Sequence, residues 1–184
     1  VVREPAPTRD HTERMLRGLG VDCRTEAEGR VHRLTGPVIW SGGALSVPPD
    51  PSSAAFLVVA GAVSGGDVWV RSMVHPSRSR VFDMLSRMGF DLQVDADAEM
   101  GGAPTAWIRA RRARARALAL AGADSVACID EVPVLAAAAA ATGAEFTVRD
   151  AAELRVKESD RIASTARMLR AFGVDVDERP DGVV

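Results

Sequence analysis

The sequence predicts a mixed α/β protein, assembled from repeated copies of one βαβαββ subdomain. Three observations carry this. First, the pattern Met-Leu-x-x-apolar-Gly-apolar-Asp occurs at Met15–Asp22, Met84–Asp91 and Met168–Asp175. Second, each copy ends an amphipathic helix on a glycine placed for a left-handed C-cap and then enters a strand. Third, the copies lie too far apart for a solenoid, and the order of strands and helices restarts between the second and the third.

In order, the first 49 residues read as a helix over Asp10–Leu19 and strands near Val21–Arg24, Arg30–Leu34 and Val38–Ile39. That is half of such a unit. Val47-Pro48-Pro49-Asp50-Pro51 resists both helix and ladder and marks a linker between two domains, 1–49 and 50–184. Asp50 caps an apolar helix over Pro51–Val63, with proline at its first position. A strand over Asp67–Arg71, a helix over Ser79–Met88 and strands over Phe90–Val94 and Thr105–Arg109 complete a unit at 50–125. The next unit, 126–184, reads as a strand over Val126–Ile129, a buried helix over Glu131–Ala141 and a strand over Phe146–Arg149. It continues with an amphipathic helix over Ser159–Phe172, a strand over Val174–Asp177 and a partner strand starting at Val183-Val184.

Charged residues make up 26% of the chain and the formal net charge is −2, so neither nucleic acid nor a membrane surface is an electrostatically favoured partner. Arg109–Arg116 interleaves arginine with alanine, but no aromatics stand ready to stack on bases, and the alternation suits a strand with one wet face. Cys23 and Cys128 lack metal or redox spacing and fit a reducing compartment, here the cytoplasm. No apolar run approaches the ~20 residues of a membrane span. The opening Val1-Val2-Arg3-Glu4 is neither an initiator methionine nor a signal peptide, and the chain reads as cut from something longer.

The densest charge lies in Arg155-Val156-Lys157-Glu158-Ser159-Asp160-Arg161. Lys157 is the only lysine in a chain otherwise served by arginine. Its compact ammonium can lose a proton when desolvated, which a guanidinium does not do. Read as plain structure, the run is a solvated helix start capped by Ser159 or Asp160. However, Leu154-Arg-Val-Lys-Glu-Ser-Asp-Arg161, with Asp130-Glu131-Val132-Pro133 upstream, resembles the signature of the 5-enolpyruvylshikimate-3-phosphate (EPSP) synthases. Thr8-Arg9-Asp10-His11-Thr12-Glu13 is similar to the family's Ser-Arg-Asp-His-Thr-Glu string, with threonine in place of serine.

The resemblance implies two domains of the enolpyruvyl transferase type, each with three βαβαββ units, and a cleft between them. This chain would hold the end of one domain and two units of the other. The implied reaction moves the enolpyruvyl group of phosphoenolpyruvate to the 5-hydroxyl of shikimate 3-phosphate and releases phosphate, with no metal or organic cofactor. Such chemistry needs a base, an acid to protonate the methylene carbon and several cations. By resemblance the catalytic residues are Asp130 as base, Glu158 as proton donor with a pKa raised by burial yet restrained by neighbouring cations, and Lys157 in the proton relay. Thr8, Arg9, Asp130, Glu153 and Lys157 would hold shikimate 3-phosphate; Lys157 and Arg161 would hold phosphoenolpyruvate. Glyphosate would inhibit, and the full-length enzyme would be a monomer. Asp130 also fits the N-cap of the following helix. If that charged helix begins at Lys157, then Lys157, Glu158 and Arg161 share a face; if at Ser159, the loop must aim the first two.

Two rivals remain. A UDP-N-acetylglucosamine enolpyruvyl transferase shares the fold but carries a different string, built around Phe-Glu-Asn-Arg, at this place. A non-catalytic α/β module docking an acidic partner would use the same charged run.

Overall fold

The computed structural model describes every residue except Ala6, Trp40, Ser41 and Ala115. Its elements, in order, start with β1 (Val2–Arg3), α1 (His11–Gly18), β2 (Cys23–Glu26) and β3 (Val31–Leu34). Then come α2 (Pro51–Val63), β4 (Val68–Met73), α3 (Arg80–Arg87), β5 (Phe90–Met100) and β6 (Ala103–Ala113). The last third holds β7 (Leu118–Leu120), α4 (Ala123–Ala127), α5 (Val132–Thr142), β8 (Phe146–Val148), α6 (Arg161–Ala171), β9 (Glu178–Arg179) and β10 (Gly182–Val183).

The three sequence repeats sit in α1, α3 and α6, and the same topology surrounds each. The sheets run β1-β3-β2, β4-β6-β5 and β8-β10-β9, with every one of these neighbours antiparallel. In each, the strand before the repeat helix pairs with the last strand of the hairpin that follows it. β7 extends the third sheet by pairing parallel to β8. The stretch β7-α5-β8-α6-β9-β10 is therefore a whole βαβαββ unit, with the short α4 inserted.

α2 and α5 are apolar all round, as interior helices are. They pack on each other between the second and third sheets. Asp50 caps α2 by accepting from the Ser53 backbone N–H at 3.0 Å. Val58 and Leu135 are fully buried within one hydrophobic cluster running from Ala54 to Val183. The buried Cys23 and Val31 of the first sheet, and Val21 just before it, lie outside it. Fully burying a side chain such as Leu135 contributes roughly 2–3 kcal/mol.

Four sequence expectations are corrected. Val126–Ile129 is not a strand: α4 and a 3-10 turn over Ile129–Glu131 occupy it. The Ser125 hydroxyl donates to the Arg149 carbonyl at 2.6 Å, and the Gly122 N–H to the Asp150 carboxylate at 2.8 Å, so side chains pin this segment as helix. The strand belongs instead to Leu118–Leu120, whose two leucines are buried. Val38–Ile39 forms no strand, and Ile39 is almost fully exposed. Val174–Asp177 is a loop rather than a strand, although Asp177 exchanges both backbone hydrogen bonds with Val184. The Arg109–Arg116 strand ends with β6 at Ala113, and Ala115 lies outside the described residues. Up to Ala110 its alternation holds, with Ala106, Ile108 and Ala110 buried.

The third sheet holds the charged loop in place. Asp150, with φ of 59°, turns the chain out of β8 into a 3-10 turn over Ala152–Val156 that leads to Lys157. Gly182 on β10 lies so close that a Cβ there would stand 1.8 Å from the Val148 carbonyl oxygen. Gly182→Ala must push two backbones apart, and we expect it to cost about 3 kcal/mol or more. Urea unfolding measures this; a loss below about 1 kcal/mol would contradict the close approach.

Candidate active site

Asp130 leaves the 3-10 turn at the N-terminal side of α5, and its carboxylate caps no helix. Its two oxygens are taken from opposite sides. Arg9, before α1, donates to Oδ2 at 2.6 Å across 121 positions of sequence. Arg161, the first residue of α6, donates to Oδ1 at 3.0 Å. Burial pushes the Asp130 carboxyl up, but the Arg9 hydrogen bond and the charges of Arg9, Lys157 and Arg161 outweigh it and leave it below the usual carboxylate range.

Arg161 also grips Glu158 as a fork, Nε to Oε1 and Nη2 to Oε2, both at 2.9 Å. One guanidinium thus joins the base and the proton donor named by resemblance. α6 starts at Arg161, with Asp160 as its cap accepting from Ala163 N–H at 2.9 Å. Ser159 is not the cap, and Lys157 and Glu158 are aimed by the loop. That loop is tied down by Arg155, which donates to Asp160 at 2.8 Å, Glu178 at 2.9 Å and the Pro180 carbonyl at 3.1 Å.

The pKa expected for Glu158 is corrected. Its side chain is 66% exposed, and the Arg161 hydrogen bond holds its carboxyl below the ordinary range rather than burial raising it. Lys157 is hydrogen-bonded to Glu153, one turn earlier, and its charge is felt at Asp130. Glu153 itself is 63% exposed. Thr8 is exposed and its hydroxyl donates to Glu4 at 2.9 Å, which is not a member of the cluster. Arg9, Asp130, Lys157, Glu158 and Arg161 therefore converge, Glu153 joins them through Lys157, and Thr8 does not.

A model of the EPSP synthase family (3-phosphoshikimate 1-carboxyvinyltransferase) matches residues 1–184. The chain belongs to the EPSP synthase family. The 3-phosphoshikimate 1-carboxyvinyltransferase of Desulfitobacterium hafniense is 44% identical over 185 residues, covering 100% of this chain and 42% of that protein. That of Gloeobacter violaceus is 43% identical over 185 residues, again covering 42% of its length. The solved EPSP synthase of Acinetobacter baumannii superposes with a TM-score of 0.84 at 41% identity, over 99% of this chain and 41% of that one. The chain thus spans about 42% of the length of such curated relatives.

Two features of this chain escaped the sequence reading. One is Glu131, a carboxylate only 1% exposed, which accepts from Ser52 and from Arg78 at 2.8 Å. Arg78 also donates to Asp50 at 2.6 Å, so α2, the turn before α3 and the start of α5 share one polar knot. Glu131 stood in the string Asp130-Glu131-Val132-Pro133, but nothing in that string assigned it a role. The other is a second join between the first 49 residues and the rest. Asp10 accepts from Ser77 at 2.7 Å and from Arg14 at 2.7 Å, with His75 beside Ser77 at 2.8 Å. Nearby, His11, Arg14, Met73 and Arg78 line a cavity of about 280 Å³ under the 45–48 segment.

Burial, followed by the charges of Arg78 and Arg9, lowers the pKa of His11; burial and Arg14 do the same for His75. A folded pKa below the unfolded one gives stability that is present above about pH 6.5 and lost as pH falls through the folded value. Melting temperature should therefore drop between pH 7 and pH 5, and the drop should shrink in His75→Gln. A flat profile over that window would contradict the burial of both imidazoles. Burial pushes the Cys128 thiol up to about 12, with Glu131 and Asp124 adding to the effect, so it is inert at neutral pH. No cluster able to hold a metal ion occurs among the described residues, nor any helix long and apolar enough to cross a membrane.

Proposed function

We propose that this chain supplies the acid–base centre and part of the anion grip of a 3-phosphoshikimate 1-carboxyvinyltransferase. Residues 1–49 form the end of one domain, while 50–117 and 118–184, the latter starting at β7, form two units of the other, and the reaction takes place between them. What carries the reading is Arg161, which links Asp130 to Glu158 while Arg9 reaches Asp130 from the first unit.

In this reading Asp130 takes the proton of the 5-hydroxyl as that oxygen bonds to C2 of phosphoenolpyruvate, and Glu158 protonates C3. The tetrahedral intermediate then loses a proton from the new methyl group and expels phosphate. No metal or organic cofactor enters. Arg161 leaves Glu158 for the planar anion of phosphoenolpyruvate, a geometry a guanidinium matches bidentately. Removing that fork lets the Glu158 pKa rise toward the range a proton donor needs. Lys157 neutralises charge where the two substrates meet, and Arg9 and Thr8 face the phosphate of shikimate 3-phosphate, Thr8 after releasing Glu4. The rest of the grip lies in parts of the family's length that this chain does not span, so the chain alone turns over negligibly. The enzyme is a cytoplasmic monomer and glyphosate competes at the phosphoenolpyruvate side.

The test is phosphate release by the full-length enzyme from phosphoenolpyruvate, which must require shikimate 3-phosphate. Shikimate 3-phosphate with glyphosate should also raise its melting temperature. Release driven by UDP-N-acetylglucosamine would favour the sister activity, and no response to any of these a docking module.

A further inference from the structure

Glu131 is buried, yet it is only half used. Its Oε1 takes both donors, Ser52 and Arg78, while Oε2 has no hydrogen-bond partner among the described residues. On that side stands Arg9, whose Nη2 is also buried and without a hydrogen-bond partner among the described residues, 3.8 Å from Oε2. An empty acceptor and an empty donor therefore face each other inside the protein, and such pairs are uncommon because each costs free energy. A shift of Arg9 by about 1 Å would bring them to hydrogen-bond distance. In the present arrangement Arg9 spends its other amino group, Nη1, on Asp130.

We propose that Glu131 is a positioning residue: it receives Arg9 when the hydroxyl of shikimate 3-phosphate takes the place of Arg9 on Asp130. The inference rests on the function proposed above. Arg9 has acceptors on two adjacent residues: Nη2 closes on Glu131 while Nη1, released from Asp130, turns to the phosphate of shikimate 3-phosphate. On Asp130 it disfavours proton uptake; on Glu131 it no longer does so directly. Glu131 stays in place during the exchange because Ser52 and Arg78 anchor it, and Arg78 is itself held by Asp50. The base is thus relieved of one cation when its substrate arrives.

Glu131→Gln in the full-length enzyme isolates this role. Its amide oxygen still accepts from Ser52 and Arg78, while its amide nitrogen faces Arg9 as donor against donor. Arg9 then stays on Asp130 in the substrate complex. We expect kcat to fall about tenfold or more. The acid limb of the kcat profile, which reports the substrate complex, should move to lower pH, while that of kcat/KM, which reports the free enzyme, should stay put. A merely structural role would lower the melting temperature and leave both limbs alone; unchanged limbs overturn the proposal. A crystal structure of the wild-type enzyme with shikimate 3-phosphate decides it without any variant. Arg9 Nη2 about 3 Å from Glu131 Oε2 supports the exchange. Bound ligand with Arg9 still on Asp130 overturns this inference alone, and a wild-type enzyme that binds no shikimate 3-phosphate overturns the functional reading with it.

Discussion

Glu158→Gln in the full-length enzyme is expected to cut turnover by ~10²-fold or more while shikimate 3-phosphate still binds. Glutamine keeps the size and one acceptor for Arg161 but has no proton to give. In this structure the Arg161 fork holds Glu158 and keeps its carboxyl below the usual range, so on the function proposed above its service as an acid depends on Arg161 being drawn to phosphoenolpyruvate. Two further readouts follow. Deuterium from solvent should enter the transferred methylene group in the wild type and almost vanish in the variant. The basic limb of kcat should also disappear with the carboxyl that causes it. Unchanged turnover would remove Glu158 from this role.

For Asp130→Asn the expected loss is larger, roughly 10²–10⁴-fold in turnover, because a positioned base is removed rather than weakened. Stability serves as the control. Asp130 is 26% exposed and its partners Arg9 and Arg161 are 29% and 27% exposed, so each ion pair contributes only about 0–1 kcal/mol. Asparagine also keeps one acceptor oxygen. A collapse of activity with a melting temperature within a few degrees of wild type marks a chemical role. Activity within about tenfold of wild type would return Asp130 to structure, as a bridge between Arg9 and Arg161.

Much of the fold was legible because periodicity and punctuation are local. The Met-Leu-x-x-apolar-Gly-apolar-Asp repeats found α1, α3 and α6, and Asp50 followed by Pro51 found the start of α2. Legibility failed where long-range contacts overrode local preference. Val126–Ile129 looks extended by composition, yet Ser125 and Gly122 are bonded to residues about two dozen positions away and the segment is helical. β7 is three residues long and borrows its ladder from β8, so nothing within Leu118–Leu120 announces it.

The sequence by itself determined the repeat and the family string, since these depend on residue type and spacing along one chain, and the resemblance carried by that string pointed to Asp130, Lys157, Glu158 and Arg161. Only the tertiary structure decided that Arg9 meets Asp130, that Thr8 donates to Glu4, that Glu158 lies exposed under a fork, and that Glu131 is buried with one oxygen idle. The reason is physical. A side chain's protonation and partners are set by whatever charge and surface lie within a few ångströms, and here those neighbours come from segments far apart in the chain.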